Sequence, residues 1–310
     1  MPITIPFPSI LKSVIDEYVV TPLFTRQSTP AWDDVVRSRI ISRSFNRYTK
    51  AYHRNIILQR GQADFARGTA GLNTYELAIL YSYYYFQMHF SSSVALYYHQ
   101  RNLLRDVFSQ SRNIVFIDIG CGPYTSGLSF LHFTRLQSTR KQLNPFKQNL
   151  RLEYHGIDNS DGMLALGNTL LAMYQKTIND GGYRFLITAQ DADYNNIPIQ
   201  IGSRDSQTTI ILNCCYFFAS QSINVTDFTN AIQTLINNNP SSKIILFYQN
   251  AFTNYVHIGR NYLNFRKAIQ GLSQNRTNIE TLQFSFVDEF NSTMYESFTG
   301  KVKFQVLKNY

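Results

Sequence analysis

"VFIDIGCGPYTSGLSF", residues 115–130, leaves an apolar run through Asp118 and then sets Gly120 and Gly122 on either side of Cys121. The run reads as a buried strand. Glycine just beyond a strand permits positive φ and lets the backbone approach a ligand with no Cβ in the way. Asp118 is placed either to face that ligand or to cap the helix that follows. The glycines are spaced Gly-x-Gly, and Thr125 stands where a dinucleotide loop carries its third glycine. The Gly-Lys-Ser/Thr ending of a phosphate loop is missing too. A ligand with ribose and adenine but no phosphates fits this turn better.

Outward from the turn, strand-like and helical runs alternate. Strands are expected at 114–118, 152–157, 184–188, 208–213 and 243–248, with helices near 126–138, 161–178, 226–238 and 255–271. Apolar strands alternating with helices predict a parallel sheet covered on both faces. The tail, "TLQFSFVDEF" and "KVKFQVLKNY", reads as two strands with no helix between them, hence an antiparallel addition. Such a sheet binds its ligand beyond the carboxyl ends of its strands. "LEYHGID" ends at Asp158, where an acid can accept hydrogen bonds from both ribose hydroxyls. "AQDAD" ends the third strand and places Asp191 to meet an adenine amino group.

"FIDIGCGPYTS", "YHGIDNSDGML", "AQDA" and "ILNCCYFFAS" resemble the successive motifs of class I S-adenosylmethionine-dependent methyltransferases, over residues 113–308. The resemblance implies an α/β, Rossmann-like fold with a seven-stranded, mostly parallel sheet and a C-terminal antiparallel hairpin. It implies S-adenosyl-L-methionine as cofactor and no metal. Asp118, Gly120 and Gly122 would line its methionine part, Asp158 and Asn159 its ribose, and Asp191 and Ala192 its adenine, with Met163 packed nearby. Amino-methylases of this family carry Asn/Asp-Pro-Pro-Tyr/Phe after the fourth strand. This chain keeps Asn213 and Tyr216 but has Cys214 and Cys215 in place of the prolines. Asn213 and Tyr216 are the catalytic candidates there. His257, beyond the fifth strand, is the candidate general base.

Residues 1–112 are expected to form a helical N-terminal region and 113–310 the methyltransferase domain. Residues 35–60 read as a helix and 61–74 as a glycine-rich loop. A second helix is expected from Asn73 or Thr74 to about Ser109, with a break at Ser91–Ser93. On a wheel of the first helix, Arg39, Arg43, Arg47, Lys50 and Arg54 form one cationic stripe, opposite Ile41, Phe45, Tyr48 and Tyr52. Residues 35–67 hold eight lysines and arginines against one acid, Asp64, so +7 of the chain's net +9 lies there. A one-sided stripe of this kind suggests phosphate contacts.

The 310 residues are 44% hydrophobic, enough for a full core. The three cysteines form no Cys-x-x-Cys pair, which fits a reducing, cytoplasmic compartment and excludes a zinc finger. Residues 75–90 fall short of a membrane span, and the N-terminus lacks the charged and apolar blocks of a signal peptide. The expected activity is methylation of nucleic acid, RNA ahead of DNA. A methyltransferase of small molecules or proteins is the first alternative, and a non-catalytic S-adenosylmethionine binder the second.

Overall fold

The computed structural model describes residues 2–25, 29–39, 47–139, 151–179, 189–192, 207–220, 223–252, 256–273, 278–290 and 297–310. Among these residues eight strands form one sheet: β1 (Ile3–Thr4), β2 (Asn113–Ile119), β3 (Arg151–Ile157), β4 (Ala189–Ala192), β5 (Thr208–Cys215), β6 (Lys243–Ala251), β7 (Glu280–Val287) and β8 (Ser297–Lys308). Their order is β1-β7-β8-β6-β5-β2-β3-β4. β8 runs antiparallel to both neighbours, and every other pairing is parallel. Six of the seven expected strands are present, in the Rossmann-like arrangement that the resemblance implies. The eighth, β1, is two residues long and adds to the β7 edge; a run so short carries no period to read. The third strand was expected at 184–188; that stretch lies outside the described residues, and β4 covers 189–192 instead.

Helices on the two faces make two cores. α9 (Val225–Asn238) and α10 (Val256–Ala268) cover one face, over Ile210, Leu212, Ile244 and Leu246. α5 (Thr74–His99), α7 (Thr125–Thr139) and α8 (Asp161–Asn179) pack together on the other. α5 begins with a capping box. The Asn73 side chain accepts from the Glu76 N–H at 2.9 Å, and the Glu76 carboxylate accepts from the Asn73 N–H at 3.0 Å. The helix then runs through Ser91–Ser93 unbroken and stops at His99, where Gln100 leads into α6 (Arg101–Gln110). The three serines are buried inside the helix packing, and Ser92 and Ser93 find partners in the Tyr216 and Ser126 hydroxyls, so no break is needed to satisfy them.

The short N-terminal helices α1 (Ser9–Ile15), α2 (Thr21–Thr25) and α3 (Pro30–Val35) lie on the α5 side. Leu11, Ile15, Val19, Leu23 and Trp32 share one apolar cluster with Phe86, Phe116 and Phe304. The N-terminal region and the sheet are therefore built around common buried contacts. Gly162, in the first turn of α8, makes a close approach possible. A Cβ there would sit 2.2 Å from the backbone of Thr74, so glycine lets the start of α5 rest on the start of α8. That contact sets where α5 crosses the ligand end of the sheet.

The helix expected over 35–60 is a series of short pieces. A 3-10 turn spans Arg37–Arg39, α4 is Arg47–Tyr52, and a π-helical turn follows at His53–Ile57. Residues 40–46, with Arg43, Ile41 and Phe45, lie outside the described residues. The buried stripe is Thr49, His53 and Ile57, while Tyr48, expected to be buried, is 84% exposed. His53 decides this rotation. Its Nδ1 meets the Tyr84 hydroxyl at 2.9 Å and its Nε2 the Val35 carbonyl at 3.1 Å, so both ring nitrogens are satisfied only when it faces inward. Among the described residues no helix is long and apolar enough to cross a membrane.

Candidate functional site

The turn after β2 is built for close approach. Gly120, Gly122 and Tyr124 have φ of +64°, +52° and +57°. The N–H groups of Gly120 and Cys121 both donate to the Ile157 carbonyl, at 2.8 and 3.1 Å, which locks the turn against the end of β3. A Cβ on Gly120 would meet the Phe217 ring at 2.8 Å, whereas one on Gly122 would meet nothing within 4 Å. Both glycines line a cavity of about 1480 Å³ at the carboxyl ends of the strands; Gly120 is also packed against Phe217, whereas the Cα of Gly122 faces open space.

Asp158, Asn159 and Met163 form one wall of this cavity together with Gly122. Asp158 accepts from the Gly122 N–H at 2.9 Å and from the Ser160 N–H at 3.0 Å. Burial raises its pKa, and the backbone donors of Gly122, Ser160 and Asn159 oppose the rise. Each carboxylate oxygen retains room for a further donor. Asp191 and Ala192 lie on β4, with backbones paired to Gly156 and Ile157; their side chains are outside the described residues.

Asp118 is different. It was expected to face the methionine part of a cofactor, but its carboxylate turns into the protein. It accepts from the Gly127 N–H at 3.1 Å, the Tyr154 hydroxyl at 3.1 Å and the Asn213 amide at 2.8 Å. Burial pushes its pKa up to about 6 against those three bonds. Asn213, expected beside the methyl acceptor, is engaged there too, and its Oδ1 accepts from the Tyr97 hydroxyl at 3.4 Å. Neither side chain lines the cavity. The physical reason is the pleat: Asp118 and Asn213 are register partners on adjacent strands and point together under α5 and α7.

Tyr216 lies one residue beyond β5, in the left-handed region at φ +60°, and does line the cavity. Its ring stacks on His89 of α5 with centroids 3.9 Å apart, and its hydroxyl is 3.1 Å from Ser92 Oγ. Nothing in the sequence pattern singled out His89. The imidazole is also stacked on Tyr85, and its Nδ1 lies 3.1 Å from the Tyr81 hydroxyl. Burial drives its pKa down to about 3, so it is neutral at neutral pH. Its Nε2 has no protein partner among the described residues. Cys215 also borders the cavity, but burial pushes its thiol up to about 12, which removes it as a nucleophile. His257 lies in the first turn of α10; its side chain is outside the described residues.

The roof comes from the N-terminal region. Lys50 and Arg54 of the expected basic stripe reach the cavity, and Arg60 and Arg67 join them from the loop that follows. Arg54 also lies over the Tyr85 ring, 5.4 Å from its centroid. Ser160 Oγ donates to the Phe65 carbonyl at 2.7 Å, tying this loop to the segment that carries Asp158. Gln59 and Arg60 hold φ of +46° and +58°, which side-chain-bearing residues rarely adopt and which are of the kind held at ligand sites. Lys50 and Arg54 of the stripe thus share one cavity with Gly122 and Asp158. Arg39 ends the 3-10 turn and Arg47 opens α4, and their side chains are outside the described residues. Among the described residues no group of His, Cys, Asp or Glu is arranged to hold a metal.

No protein-family model matches the chain, and no curated protein matches it in sequence. Neighbours among solved structures are found at low identity and low TM-score. A Listeria monocytogenes protein assigned to the class I S-adenosylmethionine-dependent methyltransferases is 10% identical, over 96% of this chain and 86% of that one, with a TM-score of 0.40. The precorrin-6y C5,15-methyltransferase of Geobacter metallireducens is 10% identical, over 67% and 86%, at 0.35. A Pyrococcus horikoshii protein described as an RNA methyltransferase is 9% identical, over 67% and 80%, at 0.34. Likeness at this level says nothing of cofactor or acceptor.

Proposed function

We propose that the cavity binds S-adenosylmethionine and that the chain transfers its methyl group to nucleic acid, RNA ahead of DNA. The observation that carries the reading is the convergence of Gly122 and Asp158 on one cavity at the carboxyl ends of β2 and β3. The residues fit the cofactor. Asp158 has lone pairs for the two ribose hydroxyls, the open face of Gly122 leaves room for the methionine chain, and Met163 offers an apolar surface to the adenine. Asn159 and the β4 end at Asp191 and Ala192 complete that side.

When bound, the cofactor supplies an electrophilic methyl group on a sulfonium. The chain's part is alignment. Tyr216 and His89 form the acceptor wall, where a neutral imidazole and a phenol hold a planar group without adding charge. Asp118 and Asn213 act behind this wall by fixing the ends of β2 and β5. Lys50, Arg54, Arg60 and Arg67 give the roof its positive potential, and Arg54, Arg60 and Arg67 form no ion pair among the described residues. That potential suits a phosphate-bearing acceptor. The roof itself favours a second reading, a small-molecule acceptor enclosed beneath it.

Titration calorimetry with S-adenosylmethionine, its demethylated product and NAD tests the cofactor. Binding of the first two and not of NAD is expected, and no binding of either overturns the reading. Incubation with methyl-labelled cofactor and total RNA, DNA and a small-molecule extract tests the acceptor. Label in RNA is expected. Label confined to the small-molecule fraction establishes the second reading.

A further inference from the structure

The carboxyl end of β6 carries a feature that the cavity alone does not use. Asn250 and Ala251 line the cavity, and Phe252, the next residue, is 47% exposed. β8 runs antiparallel to β6, so its early residues lie at the same ligand end. The Phe252 N–H donates to the Lys301 carbonyl at 3.1 Å. The Lys301 and Lys303 ammonium groups stand 5.8 and 5.5 Å from the Phe252 ring centroid. Neither lysine forms an ion pair among the described residues.

An exposed aromatic ring accompanied by two cations, with no acid between them, joins the two elements that bind an unpaired strand. A base stacks on the ring, and the flanking phosphates pair with the cations. The roof argues for an unpaired strand. A site recessed beneath residues 59–67 admits a single nucleotide on a flexible backbone more readily than a base held in a duplex. We propose that Phe252, Lys301 and Lys303 form the landing surface for single-stranded nucleic acid, from which one nucleotide enters the cavity. The proposal rests on the nucleic-acid reading above and extends it to a surface outside the cofactor site.

The test is fluorescence anisotropy of the full chain with labelled oligo(U) RNA of roughly 16 nucleotides, the upper site size of one single-strand groove, at several salt concentrations. A duplex of the same length is the comparison. Tighter binding of the single strand is expected. Phe252→Ala should weaken it about tenfold, the loss of one stacked base. Lys301→Gln with Lys303→Gln should flatten the slope of log affinity against log salt by about 1.4, at about 0.7 per phosphate on a single strand. Unchanged affinity and slope in both variants, or a duplex bound as tightly as the single strand, overturns the proposal. The side chains changed lie at the surface, and calorimetry with S-adenosylmethionine should give wild-type affinity for each variant. Oligo(U) binding is measured without S-adenosylmethionine, so failure of the cofactor reading and failure of the landing surface are read separately.

Discussion

The ends of β2 and β3 make a controlled comparison. Each strand is seven residues long and mostly buried, the two are paired in parallel, and an acid stands at the carboxyl end of each. Asp118 is spent on three internal donors, and Asp158 borders the cavity. Burial raises the pKa of both. What separates them is strand position. β2 is flanked by β3 and β5 and roofed by α7, so its acid finds Tyr154, Asn213 and Gly127. Asp158 lies one residue past β3, where the chain leaves the sheet, and meets only backbone donors, from Gly122 in the turn after β2 and from Ser160. An acid after an apolar run is thus a site residue or an internal strut according to what surrounds the strand end.

The largest expected effect breaks this comparison at Asp118. Asp118→Ala leaves a buried N–H, a hydroxyl and an amide without their acceptor, and should lower the unfolding free energy by about 3 kcal/mol or more. Urea unfolding measures it, and a loss below about 1 kcal/mol would mean that the three bonds do not hold the strand ends together.

The pH dependence sharpens the same point. A free aspartate titrates near 3.9, whereas Asp118 in the fold titrates at about 6. The folded value lies above the unfolded one, so the native state holds the proton more tightly. The stability this contributes is complete below about pH 4 and is lost as pH rises to about 6, a change on the order of 3 kcal/mol. Asp118→Asn cannot titrate. The stability difference between wild type and this variant, followed by urea unfolding from about pH 4 to about pH 7, should therefore move against wild type up to about pH 6 and then level off. A constant difference would show that burial does not raise this carboxyl.

Asp158→Ala should give the reverse pattern. Its donors face a cavity where water can replace the carboxylate, so stability should change by less than about 1 kcal/mol. Affinity for S-adenosylmethionine should fall by about 1.5–3 kcal/mol, the value of a hydrogen bond to a charged group. Equal calorimetric affinity in wild type and variant would remove Asp158 from the site.

The smallest effects are expected in the turn itself. Gly122→Ala meets no atom, and its cost is that of a left-handed backbone, about 1 kcal/mol. Gly120→Ala must also displace the Phe217 ring. In thermal unfolding it should be the less stable of the two; the opposite order would mean that Phe217 gives way without cost.

Much of the fold was legible because it is locally specified. Alternating apolar and helical periods placed β2, β3, β5, β6 and α7 to α9 to within three residues of their observed bounds, and Asn73 or Thr74 announced the start of α5. The basic segment was misread for the opposite reason. Its charges are local, but the face it buries is chosen by the Tyr84 hydroxyl, from outside the segment, and by the backbone carbonyl of Val35, which a pattern of side chains does not show.

By itself the sequence determined the alternating sheet, the glycine turn and the acid that follows β3, because strand period, turn conformation and capping act over a few neighbouring residues. The tertiary structure alone decided which acid faces the cavity, that the roof is cationic, and that His89 stacks on Tyr216. Those outcomes join residues 89 with 216 and 65 with 160, and they follow from which helix faces the two sides of the sheet bury.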